Sequence, residues 1–223
     1  MSSRARYDGL ADWYDRQIRG LTVTSTAIDA LGRLVGAGPG TCLDLGCGTG
    51  IAIPGLLERG WRVVGVDRSG DQLRVARQRA GGPGVALVAA DAAALPFPNS
   101  SFDAVVSVLT HTDLDDPEAA FTEAARVLRR GGRLSYVGTH PCFVTPFVER
   151  RATGAHLLHP GYRRRWHHAG PGFGQGIRPR VGVHHLTLAD LIGVALGTGL
   201  TLVRLEEPGE DDYPFLVALQ LTR

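Results

Sequence analysis

The sequence feature that most constrains the fold is the segment 43–50, which reads Leu-Asp-Leu-Gly-Cys-Gly-Thr-Gly. Residues 41–45 form a short apolar run that is typical of a buried strand, and glycine then occupies every second position from Gly46 to Gly50. Glycine adopts backbone conformations that other residues avoid, and it lets a ligand approach the bare main chain. The segment therefore predicts a strand that turns at once into a helix. Ligands of open α/β sheets bind at such carboxyl ends of strands, so we expect a ligand site at this turn.

The spacing of these glycines restricts the ligand. Dinucleotide-binding folds carry G-x-G-x-x-G, whereas this turn reads G-x-G-x-G. A P-loop needs a lysine, and all 24 basic residues of the chain are arginines. Asp44 directly precedes the glycines, where a carboxylate would repel a pyrophosphate but suit the ammonium group of an amino-acid moiety. The turn alone leaves open a purely structural role or a phosphate-binding loop of another kind.

The rest of the chain alternates strand and helix patterns, which predicts an α/β sheet with helices on both faces. The predicted strands are Thr41–Leu45, Arg62–Asp67, Val85–Ala90, Phe102–Leu109, Arg133–Thr139, Leu200–Glu206 and Phe215–Leu221. Helices are expected to begin at Ser69, where Gln72 completes a capping box, at Asp116 and at Thr187. We expect the helix after Asp116 to end at Gly131–Gly132. These elements predict a Rossmann-like, seven-stranded, mostly parallel sheet in which a closing hairpin adds an antiparallel edge strand.

Carboxylates stand at the ends of three successive predicted strands. Asp44 belongs to the first strand, Asp67 ends the second and Asp91 follows the third. A carboxylate at Asp67 can accept hydrogen bonds from both hydroxyls of a ribose. A carboxylate at Asp91 can accept from an adenine amine, while the backbone N–H of Ala92 donates to the ring. Either Asp alone could be a helix cap or a solvated turn, but three at successive strand ends favour a nucleoside site.

Four segments between residues 40 and 140 resemble the class I S-adenosylmethionine-dependent methyltransferases. They are the segment 43–50, Val64–Asp67, Leu95–Asp103 and Val127–Gly132. The chain is most similar to the small-molecule branch that includes the ubiquinone and menaquinone biosynthesis methyltransferases. The resemblance implies S-adenosylmethionine as cofactor and S-adenosylhomocysteine as product. It also implies methyl transfer to a small aromatic or natural-product-like acceptor, with O-, N- and C-methylation all open.

The resemblance further implies a set of cofactor contacts. The glycine turn would wrap the methionine part, Asp67 would hold the ribose and Arg68 would border the adenine. An early Tyr-Asp pair often covers the cofactor in this family. Tyr14 and Tyr7 both fit this pattern, and Tyr14 is preferred because it lies on a predicted helical face. The predicted cofactor-binding residues are Tyr14, Asp44, Gly46, Cys47, Gly48, Gly50, Asp67, Arg68, Gln72, Asp91, Ala92 and Leu109.

We expect a single domain over residues 1–223, with an N-terminal helical lid at 1–38 and a substrate cap at 141–186. Helices are predicted at Tyr7–Arg19 and Ser25–Leu34. The expected cap holds seven arginines against one acid, Glu149, and it interrupts the strand–helix alternation. A long irregular segment in a compact domain is usually a lid or a binding segment.

The acceptor side is expected to involve histidine and aromatic residues. His111 and His140 follow the fourth and fifth predicted strands, and an imidazole that titrates near neutrality suits a general base. Either could equally be a loop histidine bonded to the backbone, and positioning without a base can carry much of methyl transfer. The predicted substrate-contacting residues are Tyr7, Phe143 and Phe173.

Composition and motifs disfavour several other classes. The three cysteines are an odd number, which argues against a disulfide framework and favours the cytoplasm. The sequence predicts neither a membrane span nor a metal site, since the histidines of 141–186 lack Cys or acidic ligands at suitable spacing. Nucleic acid is an unlikely partner because Ser107–His111 lacks the Asn/Asp-Pro-Pro-Tyr/Phe motif of base-amine methyltransferases. A cofactor-using cyclase, an RNA methyltransferase and a homo-oligomer stay open.

Overall fold

The computed structural model describes residues 5–144, 147–168 and 177–223. Its strands in chain order are β1 Gly40–Leu45, β2 Trp61–Asp67, β3 Val85–Ala89, β4 Phe102–Val108, β5 Leu128–Thr139, β6 Val148–Arg150, β7 His156–Leu158, β8 Trp166–His168, β9 Val183–His185, β10 Thr201–Glu206 and β11 Leu216–Thr222. Its α-helices are α1 Ala11–Ile18, α2 Thr22–Val35, α3 Ile53–Glu58, α4 Gly70–Ala80, α5 Pro117–Val127, α6 Arg178–Val181 and α7 Leu188–Gly197.

Seven strands form the central sheet in the order β10-β11-β5-β4-β1-β2-β3. The five strands from β5 to β3 run parallel to one another. The hairpin of β10 and β11 closes the sheet, and β11 runs antiparallel to both of its neighbours. The predicted seven-stranded, mostly parallel sheet with an antiparallel edge is therefore confirmed.

Strand β4 shows why helices must cover both faces of this sheet. Successive side chains of a strand point to opposite faces. Val105 packs into the core under α5 and α7, and Phe102 joins it there because the register shifts between Phe102 and Ala104. Ala104 and Val106 pack on the other side with α2 and α3. Apolar residues at nearly every position therefore become buried, as the uninterrupted apolar run of this segment predicted.

The helix starts follow the predicted capping residues. Ser69 accepts the Gln72 N–H at the start of α4, but the Gln72 Oε1 has no partner, so the predicted capping box is only half formed; Asp116 accepts the Ala119 N–H at the start of α5. Thr187 begins α7 with a reciprocal capping box. The predicted end of α5 at Gly131–Gly132 is wrong. That helix ends at Val127 because Leu128 already pairs with Phe102 as the first residue of β5.

The carboxyl ends of β1, β2, β3, β4 and β5 meet at one rim of the sheet, because these strands are parallel. The two N-terminal helices are observed at Ala11–Ile18 and Thr22–Val35, close to the predicted ranges. The region 141–186 carries two short antiparallel strand pairs, β6 with β7 and β8 with β9. Within the described residues, no helix has the length and apolar character needed to cross a bilayer.

Candidate functional site

An open cleft lies at the rim where β1, β2, β3 and β4 end. The segment before α1 and the loop after β4 form its other walls. Residues that were predicted from the sequence and that line the cleft are Tyr7, Tyr14, Gly46, Cys47, Gly48, Asp67, Arg68, Gln72, Asp91, Ala92 and Leu109. The sheet topology thus brings together side chains that lie up to about a hundred positions apart in the sequence.

The glycine turn after β1 forms the floor of the cleft with bare backbone. Gly46 and Gly48 have φ angles of 69° and 53°, in the left-handed region that other residues avoid. A Cβ on Gly46 would lie 2.6 Å from Cγ2 of Thr110. Gly50 does not line the cleft, and a Cβ there would lie 3.1 Å from the Cβ of Ala76. The structure thus gives Gly50 a packing role, and its cofactor contact stays a prediction.

Asp67 is held in a fixed orientation at the end of β2. Its Oδ2 accepts the Gly48 N–H at 2.9 Å, and its Oδ1 accepts the Ser69 N–H at 2.8 Å. Burial raises the pKa of this carboxyl from 3.8 to about 6, although the two backbone donors act in the opposite direction. Each oxygen keeps a lone pair, so the carboxylate can accept hydrogen bonds from two adjacent hydroxyls of a ligand.

Asp44 and Gln72 supply buried oxygen atoms that lack partners. Both carboxylate oxygens of Asp44 and Oε1 of Gln72 are buried without a hydrogen bond. The Asp44 side chain is fully buried and does not line the cleft, so its cofactor contact stays a prediction; burial together with the charge of Asp67 raises its pKa to about 7. A Cβ on Gly48 would lie 3.7 Å from that Gln72 oxygen. Unpaired buried acceptors are costly, so this side of the glycine turn fits a donor such as the ammonium group of a methionine moiety.

The opposite end of the cleft carries Asp91, Ala92 and Arg68. The Arg68 guanidinium donates to Asp115 at 2.6 Å, and it approaches the Asp91 carboxylate at 3.9 Å. Asp91 is exposed and its Oδ1 accepts the Ala93 N–H. These positions fit the adenine contacts that the sequence predicted, since the Asp91 carboxylate, Ala92 and the planar Arg68 cation all line this part of the cleft.

The segment before α1 covers the cleft through polar contacts. The Tyr7 hydroxyl donates to Asp113 Oδ1 at 3.0 Å, and its ring meets the ring of Tyr14 edge-on at 4.9 Å. The Ser69 hydroxyl donates to Asp8 Oδ1 at 2.6 Å. Burial and the carboxylate of Asp113 raise the pKa values of both tyrosines. Both hydroxyls therefore stay protonated and can act only as neutral hydrogen-bonding groups.

The two candidate bases lie outside the residues that line the cleft. His111 is 2% exposed and its Nδ1 lies 2.5 Å from the Tyr136 hydroxyl. Burial lowers its pKa to about 3. His140 accepts the Cys142 N–H at Nδ1, so its protonated Nε2 donates to Glu207 at 2.9 Å. Both rings are already engaged in the fold, and a catalytic role for either stays a prediction.

The predicted substrate-contacting aromatics fall in three different places. Tyr7 lines the cleft. Phe143 packs against His140, with 5.0 Å between the ring centroids, and does not line the cleft. Phe173 lies outside the described residues.

Arg178 was not predicted as a site residue, yet it reaches from the region 141–186 to the wall of the cleft. It donates to Asp113 Oδ1 at 3.0 Å and to Thr112 Oγ1 at 2.9 Å. The contact spans 65 positions, so nothing local in the sequence could reveal it. Arg6, Asp113 and Asp115 also line the cleft without having been predicted as ligand contacts. In the described part of the chain, no group of three or more His, Cys, Asp or Glu could hold a metal ion.

Comparison with known proteins defines the class of this fold and site. Residues 43–136 match the family model of a methyltransferase domain. A solved S-adenosylmethionine-dependent methyltransferase from Mesorhizobium loti superimposes with a TM-score of 0.72 at 23% identity, covering 92% of this chain and 100% of that one. At this identity the superposition establishes the fold. The resemblance to methyltransferases that the sequence motifs indicated is thereby confirmed over residues 43–136, which contain all four of those motifs.

Two further proteins show what this chain is similar to. The demethylmenaquinone methyltransferase of Thermobifida fusca is 38% identical over 143 residues, which cover 58% of this chain and 58% of that protein. The chain thus spans less than two thirds of the length of this relative. The [4+2]-cyclase SpnF shares the fold, with a TM-score of 0.58 at 24% identity, covering 80% of this chain and 57% of that one.

Proposed function

We propose that the protein transfers a methyl group from S-adenosylmethionine to a small aromatic or natural-product-like acceptor. The observation that carries the proposal is the pair of unpartnered acceptors beside the glycine turn, Asp44 and Gln72; Gln72 lines the cleft together with Asp67, whereas Asp44 is fully buried and does not line it. The ammonium group of S-adenosylmethionine would satisfy Asp44 and Gln72, and its ribose hydroxyls would satisfy Asp67. The match of residues 43–136 to a methyltransferase domain supports the same ligand.

Each wall of the cleft has a proposed part in holding this cofactor. Asp44 and Gln72 receive the ammonium group, Asp67 receives the ribose hydroxyls, and Asp91 reads the adenine. The other residues proposed to contact the cofactor are Tyr14, Gly46, Cys47, Gly48, Gly50, Arg68, Ala92 and Leu109. The bound cofactor supplies a sulfonium methyl that is already activated for transfer. The protein then contributes orientation and the exclusion of water, and orientation alone can lower a barrier by roughly 7–11 kcal/mol.

The proposed domain organisation assigns the cover of the cleft to residues 1–38 and the cap on the acceptor side to 141–186. The contacts of Tyr7 and Asp8 with the loops after β4 and β2 support a covering role for the first segment. The contact of Arg178 with Asp113 supports a capping role for the second.

The acceptor is proposed to carry an aromatic ring, because the chain is similar to a demethylmenaquinone methyltransferase. Tyr7 and Tyr14 offer two neutral aromatic rings at the cleft. Because His111 and His140 are already hydrogen-bonded in the fold, the proposal requires neither as a base. The cytoplasmic location and any homo-oligomer rest on the sequence alone.

Calorimetry with S-adenosylhomocysteine and with NAD tests the cofactor. Binding of S-adenosylhomocysteine without NAD is expected, and the reverse result would overturn the proposal. A second candidate is a cyclase that binds the cofactor without using its methyl group, as the fold shared with a [4+2]-cyclase allows. Mass spectrometry of the acceptor distinguishes the two, because methyl transfer adds one methylene to its mass and cyclisation leaves it unchanged.

A further inference from the structure

The hairpin of β6 and β7, with the turn that follows it, presents apolar and basic side chains outward. Leu157 and Leu158 are 41% and 64% exposed, and Leu158 is the most exposed large apolar side chain in the described part of the chain. They are neighbours on β7, so they project to opposite faces of the two-stranded hairpin. Neither face of the hairpin therefore buries its leucine within the described fold.

The charges around these leucines are almost all of one sign. Residues 148–165 hold five arginines and a single acid, Glu149. Arg151 pairs with Glu149 at 3.1 Å, and Arg165 pairs with Glu118 at 2.7 Å. The other three, Arg150, Arg163 and Arg164, are exposed and form no ion pair with a carboxylate among the described residues. We call residues 148–165 the basic hairpin surface.

The basic hairpin surface lies at the same rim of the sheet as the cleft, beside the carboxyl end of β5. The Arg150 guanidinium lies 4.4 Å above the ring of Phe215. The carbonyl of Phe215 accepts the N–H of His140, which directly follows the carboxyl end of β5. A surface that contacts the hairpin would therefore be next to the acceptor side of the cleft.

We propose that the basic hairpin surface docks this protein on an anionic lipid bilayer, with β7 entering the interface edge-first so that Leu157 and Leu158, on its two faces, both reach the lipid chains. Interfacial binding of this kind combines buried apolar area with attraction of basic side chains to anionic headgroups. The two leucines supply the apolar area, and the unpaired arginines supply the attraction to the headgroups. The proposal does not depend on the identity of the methyl acceptor.

Two other occupants fit the observations less well. In a symmetric contact between two copies of the chain, the unpaired arginines of both hairpins would face each other and repel. An RNA strand would attract the arginines, but the two leucines would lie against a polar backbone and gain little. A bilayer satisfies both kinds of side chain at once.

Sedimentation with lipid vesicles tests the proposal on the full chain. The probes are phosphatidylcholine vesicles with and without phosphatidylglycerol. The wild-type protein is expected to partition about tenfold more strongly to the anionic vesicles, with a partition that falls as salt increases. Leu157→Ser combined with Leu158→Ser is expected to reduce that partition at least about tenfold. Arg163→Gln combined with Arg164→Gln should reduce it and flatten its salt dependence.

The chain offers a matched control for the loss of two exposed leucines. Leu21 and Leu196 are 46% and 44% exposed; Leu21 directly precedes α2 and Leu196 lies in the last turn of α7, so both are outside the basic hairpin surface. Leu21→Ser with Leu196→Ser should partition as the wild type does, and circular dichroism should show that every variant is folded. Wild-type protein that stays in the supernatant with anionic vesicles overturns the proposal, as does an unchanged partition of the Leu157/Leu158 variant. Salt-dependent binding of single-stranded RNA without vesicle binding would replace the bilayer with a nucleic acid.

Discussion

Replacing Asp44 by asparagine should distinguish the effect of this carboxylate on the stability of the folded state from its effect on cofactor affinity. Asp44 is fully buried, and neither of its oxygens has a hydrogen-bond partner. Its pKa is raised from 3.8 to about 7, chiefly by burial and then by the charge of Asp67. The folded state therefore binds a proton at Asp44 more tightly than the unfolded chain does. The stability contributed by that proton is complete below pH 3.8, and it is lost as the pH rises through about 7.

The magnitude follows from the size of this shift. One pKa unit corresponds to 1.36 kcal/mol, so about three units amount to an upper bound of about 4 kcal/mol at pH about 8. An asparagine amide in the same place stays unpaired and costs about 2 kcal/mol itself. Asp44→Asn is therefore expected to raise the free energy of unfolding by about 2 kcal/mol at pH about 8. At pH about 5, only about 1.2 pH units above the unfolded pKa of 3.8, the penalty of the wild-type carboxylate falls to about 1.6 kcal/mol, so it no longer exceeds the cost of the amide and the gain should vanish.

Urea unfolding of the ligand-free protein at both pH values measures this difference. Asp91→Asn is the control, because Asp91 ends the neighbouring part of the rim but is exposed. It should change the unfolding free energy by less than about 0.5 kcal/mol at either pH. Calorimetry should then show that Asp44→Asn weakens S-adenosylhomocysteine binding by about 1–3 kcal/mol, because a charged acceptor is lost. An unfolding free energy that falls at both pH values would refute the reasoning, since it would mean that the carboxylate has partners in the free protein.

Three further predictions test the walls of the cleft. Asp67→Ala should weaken S-adenosylhomocysteine binding by about 1–3 kcal/mol in calorimetry. The affinity of the wild-type protein should fall as the pH drops through about 6, where Asp67 gains a proton. An affinity of Asp67→Ala equal to that of the wild type would exclude the ribose contact. Gly46→Ala should lower the free energy of unfolding in urea by about 2–4 kcal/mol, because its Cβ meets Thr110 at 2.6 Å and its φ is positive. Gly60→Ala is its control, since Gly60 has a φ of 86° with nothing near its Cβ, and an equal loss in both would discount the clash. Arg178→Met should lower the free energy of unfolding by about 1–3 kcal/mol, and a double-mutant cycle with Asp113→Asn should show a coupling of at least about 0.5 kcal/mol. Arg164→Met, at an exposed arginine, is the control and should have little effect. Additive effects of the two substitutions would show that the ion pair contributes nothing.

The regular elements of this protein were accessible from the sequence because they depend on local rules. The apolar run at β4 predicted a strand covered on both faces, and Ser69, Asp116 and Thr187 predicted three helix starts. The end of α5 was not accessible in this way. Two glycines suggested a stop at 131–132, but pairing of Leu128 with Phe102 in the sheet ended the helix four residues earlier.

The sequence by itself determined which residues stand at the ends of the parallel strands, and therefore which rim holds the cleft. The length of a strand and the position of a glycine turn depend on consecutive residues, and parallel pairing of the strands then places Asp44, Asp67 and Asp91 along one edge. Only the tertiary structure decided how buried each carboxylate is, and which groups come from distant segments. Burial leaves Asp44 without a partner, and packing brings Arg178 to Asp113 and encloses His111 behind Tyr136. Such contacts depend on how whole elements stack against one another, and no local pattern in the sequence encodes them.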